Sequence, residues 1–373
     1  MGCGTVAHAQ EASTNGLAVR PSVEATYDSN VFRQNSNVRP TRDDVIVSPG
    51  VEVEYSRPLG RNSLKVRGSA YLDAYVNGST QARLRALAAA DGIIKVGARC
   101  QTVLTGLFQR QRSDFGDINT TTPNLQSVST LRGEFACPEA VGFYPIGSIE
   151  RTTTDNSRAY AFADQTTMSY RGGVGFGTPS IGTFSLYYEH SDTDRPSLAL
   201  TNKIERAGIT FNRSVVSHAA IETDVHWLRV RSSNAGVPDY DNPGWKISLV
   251  LSPVPTVLSF RGSLIRAVVN DSLVPAGYAV STSYLGSGEW LFSDRTKAEF
   301  SYEHADRSYR RDPFLFSSLI DSDKVNLYTL AVRRKIGRAL EFYLRGQRVT
   351  RSTNSGIGRY TANLIGLGVS ADF

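Results

Sequence analysis

The chain has 373 residues, 40% of them hydrophobic and 20% charged, with a net charge of +6. That is too apolar for a disordered chain. No uninterrupted apolar stretch reaches the roughly 18 residues a membrane helix needs, so a polytopic helical transporter is excluded. The 32 Gly, 17 Tyr and 16 Phe, against 2 Met and 3 Cys, point to a β protein rich in glycine and aromatics.

In chain order, the first signal is Ala7-His8-Ala9, which has the small-x-small form of a signal-peptidase site. It predicts residues 1–9 as the remnant of a signal peptide and 10–373 as the mature protein. Cys3 lacks the residue three places earlier that a lipid-anchor site requires. A first strand is expected from about Gly16 to Asn30, which leaves no room for a plug domain and argues against a TonB-dependent receptor.

Short turn signals then recur at Arg57–Arg61, Val96–Arg99, Pro138–Val141, Gly177–Ser180, Ser214–Ser217, Ser252–Pro255, Ser293–Arg295 and Ile336–Arg338. Their spacing of roughly 37 to 43 residues fits two strands and one long loop per repeat. The long loops between them, among them 115–126, 233–241, 270–277 and 311–322, are rich in Asp, Asn, Ser, Thr, Pro and Arg. Strict alternation of short and long connections puts all short turns at one end of a meander. This is the layout of an outer-membrane barrel, with periplasmic turns and extracellular loops.

The predicted fold is therefore all-β: one transmembrane, antiparallel, up-and-down β-barrel. Two strands around each of the eight turns, plus a first and a last strand, make about 18. The alternative of 16 follows if one hairpin is lost, with residues 80–94 and 139–149 the segments in question. An even count puts both termini in the periplasm, and a barrel this wide has room for an aqueous lumen.

Each strand should alternate an apolar face with a polar one. Ala298, Phe300 and Tyr302 oppose Lys297, Glu299 and Glu303. Leu340, Phe342 and Leu344 oppose Glu341, Tyr343 and Arg345, and Ile221, Val225 and Trp227 oppose Glu222, Asp224 and His226. Extending this phase assigns to the lumen Glu52, Glu54, Lys65, Arg67 and Asp73, then Arg83, Arg85, Arg171, Tyr187, Glu189 and Arg206. Charge costs little on a watered inner wall and much on a lipid face. Two readings of that wall stay open: a solvated surface braced by cross-strand ion pairs, or an ion- or sugar-selective path. Inward tyrosines such as Tyr71, Tyr75, Tyr187 and Tyr343 are candidate stacking platforms for sugar rings.

Aromatics form two expected girdles. Phe176, Phe184, Phe211, Phe260, Phe292, Phe300 and Phe342 lie near short turns; Tyr27, Tyr188, Trp227, Trp245 and Tyr302 lie toward the long loops. The C-terminal Ile365, Leu367, Val369, Ala371 and Phe373 are apolar at every second position and end in an aromatic. This resembles the signal read by the bacterial barrel-assembly machinery. Cys100 and Cys137 flank one long hairpin about equally far from its loop, both on the lipid phase, and are candidates for a disulfide; two reduced cysteines are the other reading.

Enzyme chemistry finds little to work with. Asp224-x-His226 is the one carboxylate–His pair on a strand face and resembles the pair of omptin proteases, in which such residues activate a water. The partner carboxylates are missing, because adjacent Asp43 and Asp44 face opposite ways. The five histidines show no metal spacing, and Gly172–Gly177 suits a close-packed wall better than a phosphate loop. No cofactor, catalysis or nucleic-acid binding is expected.

Val23-Glu-Ala-Thr-Tyr-Asp-Ser-Asn-Val-Phe-Arg33, Val47-Ser-Pro-Gly-Val-Glu-Val-Glu-Tyr55 and Arg112-Ser-Asp-Phe-Gly-Asp117 together resemble the β-barrel porin type 2 family. Its members include outer-membrane barrels encoded in proteobacterial exopolysaccharide and capsule operons. The resemblance implies an outer-membrane location and a part in polysaccharide export. The leading expectation is thus a non-enzymatic export channel. A general or solute-specific diffusion porin is the alternative; a hydrolase barrel and a structural or adhesion barrel follow. Expected partners are outer-membrane lipid and lipopolysaccharide, the barrel-assembly machinery, a polysaccharide and its export complex. The loop after Phe115 or the stretch from Arg311 to Ser322 could fold into the lumen.

Overall fold

A computed structural model describes residues 16–35, 37, 40–78, 82–113, 124–138, 141–216, 218–269, 277–311, 320–337, 339–355 and 358–372. They form eighteen strands. The first nine are β1 (Gly16–Asp28), β2 (Asp44–Leu59), β3 (Asn62–Tyr75), β4 (Arg83–Val96), β5 (Cys100–Ser113), β6 (Asn124–Ala136), β7 (Gly142–Asn156), β8 (Gln165–Thr178) and β9 (Gly182–Arg195). The others are β10 (Leu200–Val216), β11 (Ala219–Ser232), β12 (Tyr240–Val254), β13 (Leu258–Val269), β14 (Gly277–Ser293), β15 (Thr296–Arg311), β16 (Ser322–Ile336), β17 (Leu340–Thr353) and β18 (Tyr360–Ala371). Two 3-10 turns, Arg158–Ala163 and Pro196–Leu198, lie in the long connections.

Every strand pairs antiparallel with its chain neighbours, and β1 pairs with β18 to close the ring. Closure removes sheet edges, whose unpaired amides and carbonyls could not be satisfied in hydrocarbon. Both segments in question are strands, β4 and β7, so the count is 18 and not 16. All eight predicted short turns connect strands at one end, which is the periplasmic end.

The alternation has its predicted phase. On the outside, Leu131, Leu186, Ile365 and Leu367 are each more than half exposed, as suits a surface facing lipid. Val23 pairs with Val369 and Ala25 with Leu367, so the closing strand presents its apolar set to the membrane. Phe373, and residues 1–9 with their cleavage signal, lie outside the described residues. Toward the turn end the outer rings meet in pairs: Phe143 with Phe176 at 4.9 Å, Phe184 with Phe211 at 4.7 Å and Phe260 with Phe300 at 6.1 Å. At the loop end the Tyr27 hydroxyl donates to Asp43 at 3.3 Å, and the Trp227 indole donates to Asp241. The sulfurs of Cys100 and Cys137 are bonded at the periplasmic ends of β5 and β6, on the outer face.

Candidate functional site

The inner wall is the surface on which any passage or chemistry would occur. Its periplasmic half carries a belt of ion pairs between neighbouring strands. Lys65 meets Glu54 at 2.6 Å and Arg67 meets Asp91 at 3.2 Å, and at the opposite, loop end of the same strands Arg85 meets Asp73 at 3.4 Å. Farther round, Arg206 meets Glu189 at 2.6 Å and Lys246 meets Glu222 at 2.9 Å. Lys297 bridges Glu289 and Glu299, both at 2.9 Å, and Arg333 reaches Glu299 and Glu341. Arg345 meets Glu24 at 2.7 Å. The β-pleat explains the belt: Arg206 and Glu189 are directly paired, most of the others are diagonal neighbours of one phase, about 7–8 Å apart and within reach of long charged side chains, and Arg345 reaches Glu24 across β18. Solvation varies round the belt, from Arg67 at 52% exposure to Glu24 at 8%. Signs alternate, so the wall presents no single-sign field.

Strands β8 to β11 hold a more buried cluster. The Tyr187 hydroxyl donates to Asp224 Oδ1 at 2.8 Å, and the same oxygen meets His226 Nδ1 at 2.9 Å. Arg171 lies over the Tyr187 ring at 3.5 Å. The imidazole occupies a slot between β10 and β12 that only glycine allows. A Cβ at Gly208 would stand 2.5 Å from the His226 Cβ, and one at Gly244 would stand 2.4 Å from its Nε2. Gly173 and Gly175, from the glycine run, likewise let Tyr187 and Tyr144 lie flat on the wall.

All the residues assigned to the lumen from sequence stand on the inner phase of their strands. Glu303 also stands there, opposite Leu285 and Leu327, with no ion-pair partner among the described residues. One expectation needs correction. Tyr187 is only 4% exposed, and its face is taken by Arg171, so it offers no open ring to a sugar. Tyr71 and Tyr343 are approached in the same way, by Arg85 at 4.6 Å and Arg333 at 5.8 Å. Guanidinium over an aromatic face is favourable and competes with a stacking ligand. Among the described residues the Asp224–His226 pair also stands without the Asp43–Asp44 pair, since Asp44 opens β2, with Asp43 just before it, nine strands away in either direction round the ring.

The extracellular half is different. Inner-phase residues on six strands there are no more than 2% exposed: Asp28, Asp44, Asn124, Arg195, Asn202 and Asp323. In a watered pore they would be open, so protein fills the mouth. The chain after β1 turns inward: Asn30 donates to the Thr361 carbonyl at 3.1 Å, Arg33 clasps Asp28 at 2.8 Å, and Val31 is wholly buried. Asp323 is shared by Arg307 and by Arg351, which donates to it at 2.6 Å.

The largest intrusion is the loop end of β13 and β14. Pairing of β12 with β13 stops at Trp245 and Arg266, although β12 continues to Tyr240 and β13 to Val269. Beyond that point the β13–β14 hairpin parts from β12 and curls inward, with β14 still paired to β15 as far as Gly277 and Arg311. Its outer-phase residues Val268, Tyr278 and Val280 pack on Ile204, Leu228, Val230 and Tyr240, which belong to the inner faces of β10, β11 and β12. Asn202 on β10 donates to the Gly277 carbonyl at 3.1 Å, and the Tyr278 hydroxyl donates to the Pro238 carbonyl at 2.6 Å. Two strands four places apart in a flat wall would be roughly 19 Å apart at ~4.8 Å per strand, so this contact requires the curl. The two loops singled out from sequence as candidates for folding inward fall largely outside the described residues, at 114–123 and 312–319. The curled hairpin was not anticipated. Its signal is present nonetheless: Tyr278-Ala-Val280 and Ala267-Val-Val269 lack alternation, as segments buried on both faces do.

A ring without edges, apolar outside and charged inside, has one natural solvent environment. The chain is an outer-membrane β-barrel. No family model matches it, and no curated protein matches it. Among solved structures it is similar to the outer membrane protein OpdK of Pseudomonas aeruginosa, at 11% identity over 96% of this chain and 99% of that one, with a TM-score of 0.46. It is also similar to OccK2 (OpdF) of Pseudomonas aeruginosa, at 9% identity over 96% and 97% of the two chains, with a TM-score of 0.48. A third is the siderophore receptor PirA of the same organism, at 11% identity over 95% and 80%, with a TM-score of 0.43. These likenesses concern architecture alone and say nothing of an exopolysaccharide operon.

Proposed function

We propose that this barrel is a non-enzymatic, solute-selective outer-membrane channel whose extracellular mouth is gated by the curled end of β13 and β14. The observation that carries the reading is the contrast along the lumen. The periplasmic half is wide, charged and watered, whereas the mouth is packed with side chains that include the buried Tyr278 and Asn202. A conduit for long polysaccharide needs a continuous bore, so export of exopolysaccharide is the second reading. The mixed signs of the belt favour small polar solutes over ions of one charge. The gate is supported by the way the hairpin is held on one side: toward β12 it rests on one apolar cluster and a few hydrogen bonds in place of a β ladder, while β14 stays paired to β15 as far as Gly277 and Arg311, so that β15 is the hinge side.

Single-channel recording of the refolded barrel in a planar bilayer tests this. The wild type is expected to be closed for long periods with brief openings. Tyr278→Ala removes the centre of the cluster at a cost to the closed state of about 3–5 kcal/mol, and should raise the open fraction at least about a hundredfold. A steady, wide conductance in the wild type that long acidic polysaccharide blocks would favour the export reading. No conductance from either protein would overturn the channel reading in favour of a structural barrel.

A further inference from the structure

At the periplasmic rim, the β14–β15 and β16–β17 turns enclose a cleft of about 350 Å³ on the outside of the barrel. Its lining includes Ser293, Arg295, Thr296, Arg334, Lys335 and Ile336. The main chain joins the two turns: the Lys335 amide donates to the Arg295 carbonyl at 2.8 Å, and the Arg295 amide donates to Ser293 Oγ at 3.3 Å. Pairing sets the direction of the cleft. Thr296 stands opposite Arg334, and Arg334 opposite Phe342, which belongs to the outer phase. Ile336 is half exposed in that same phase.

Three cations line this cleft, and none makes an ion pair among the described residues; Arg295 stands in the turn and Arg334 on the outer phase, whereas Lys335 stands on the inner phase, opposite Glu341. The neighbouring Arg333 shows the other behaviour, turning to the lumen side to be shared by Glu299 and Glu341. Asp294, at the tip of the β14–β15 turn, makes no ion pair with any of the three. On the membrane side of the cleft the wall is apolar, with Val332, Phe300 and Phe342 exposed and Trp290 packed on Phe292 at 3.9 Å. A lone rim cation reaching toward the interface is ordinary snorkelling. Two arginines at the outer rim of one cleft, neither paired to a carboxylate among the described residues and both directly above an apolar strip, match an amphiphile with an anionic head.

We propose that this cleft binds the phosphate headgroup of an anionic phospholipid of the periplasmic leaflet, with its acyl chains lying on Val332, Phe300 and Phe342. Arg295 and Arg334 supply charge-assisted donors to the phosphate, and the Ser293 and Thr296 hydroxyls supply neutral ones. Lipid binding here is independent of whether the lumen conducts.

Native mass spectrometry of the full-length refolded barrel in detergent tests the proposal, with phosphatidylglycerol, phosphatidylethanolamine and inorganic phosphate as probes. One phosphatidylglycerol per barrel should be retained in preference to phosphatidylethanolamine. The Arg295→Gln, Arg334→Gln double variant should weaken that retention at least about tenfold. A charge-matched control, Arg57→Gln and Arg61→Gln, alters another periplasmic turn and should leave retention unchanged. Heat-modifiability on a gel verifies that both variants fold. Equal losses in the two variants would reduce the site to diffuse rim charge and overturn the proposal. So would equal retention of the two lipids, or displacement of phosphatidylglycerol by inorganic phosphate at matched concentration.

Discussion

The two ends of the lumen are made from the same eighteen strands yet obey different physics. At the periplasmic end charges pair in water, and at the extracellular end they pair in protein. Glu54 and Lys65 are 36% and 46% exposed, whereas Asp323 and Arg351 are 0% and 3% exposed. An exposed pair is screened and can be broken at little cost. A buried pair has lost its hydration, so removing one partner strands the other. The belt can therefore vary without harm to the fold, while the mouth cannot.

The sharpest way to break this comparison is at Asp323. Asp323→Ala leaves Arg307 and Arg351 without their shared carboxylate and should cost roughly 3–5 kcal/mol, read as a lower urea midpoint for loss of the folded band on a gel. A midpoint equal to the wild type would mean that the mouth is solvated after all. Next comes the Cys100–Cys137 bond, which closes a separation of 37 residues. Its reduction should cost about 2–4 kcal/mol on the same gel, with the lumen unaffected, because the bond lies on the outer wall. Tyr278→Phe keeps the ring but deletes the hydrogen bond to Pro238. At about 1 kcal/mol it should raise the open fraction only several-fold in bilayer recordings, well below the effect of Tyr278→Ala. The smallest effect is expected for Glu54→Gln. Breaking its pair with Lys65 should shift the urea midpoint by less than about 1 kcal/mol, and by less still in high salt. If Glu54→Gln proved as costly as Asp323→Ala, the division between the two ends would fail.

The division also explains which residues could be read in advance. In the periplasmic half, local rules suffice. Ala298, Phe300 and Tyr302 against Lys297, Glu299 and Glu303 announce a strand with one lipid face and one wet face, and the strand keeps both. At the mouth those rules mislead or fall silent. One exception lies below the mouth: Tyr187, in the turn-end half of β9, has the periodicity of an open lumen residue and is closed by Arg171, which comes from the neighbouring strand. Tyr278 and Val280 have the phase of lipid-facing residues, yet they pack on the inner faces of strands two to four places away.

By itself the sequence determined the barrel class, the two ends, the inner and outer phases and the positions of both cysteines; it narrowed the strand number to 18 or 16 and left the bond between the cysteines open. The physical reason is that period 2, turn chemistry and loop length act over a few residues and are written into consecutive positions. Only the tertiary structure decided where the wall opens. The parting of β12 and β13 above Trp245, the inward curl of β14 and the sharing of Asp323 by two arginines depend on which side chains meet across the ring. Those meetings join residues far apart in the chain, and no local period encodes them.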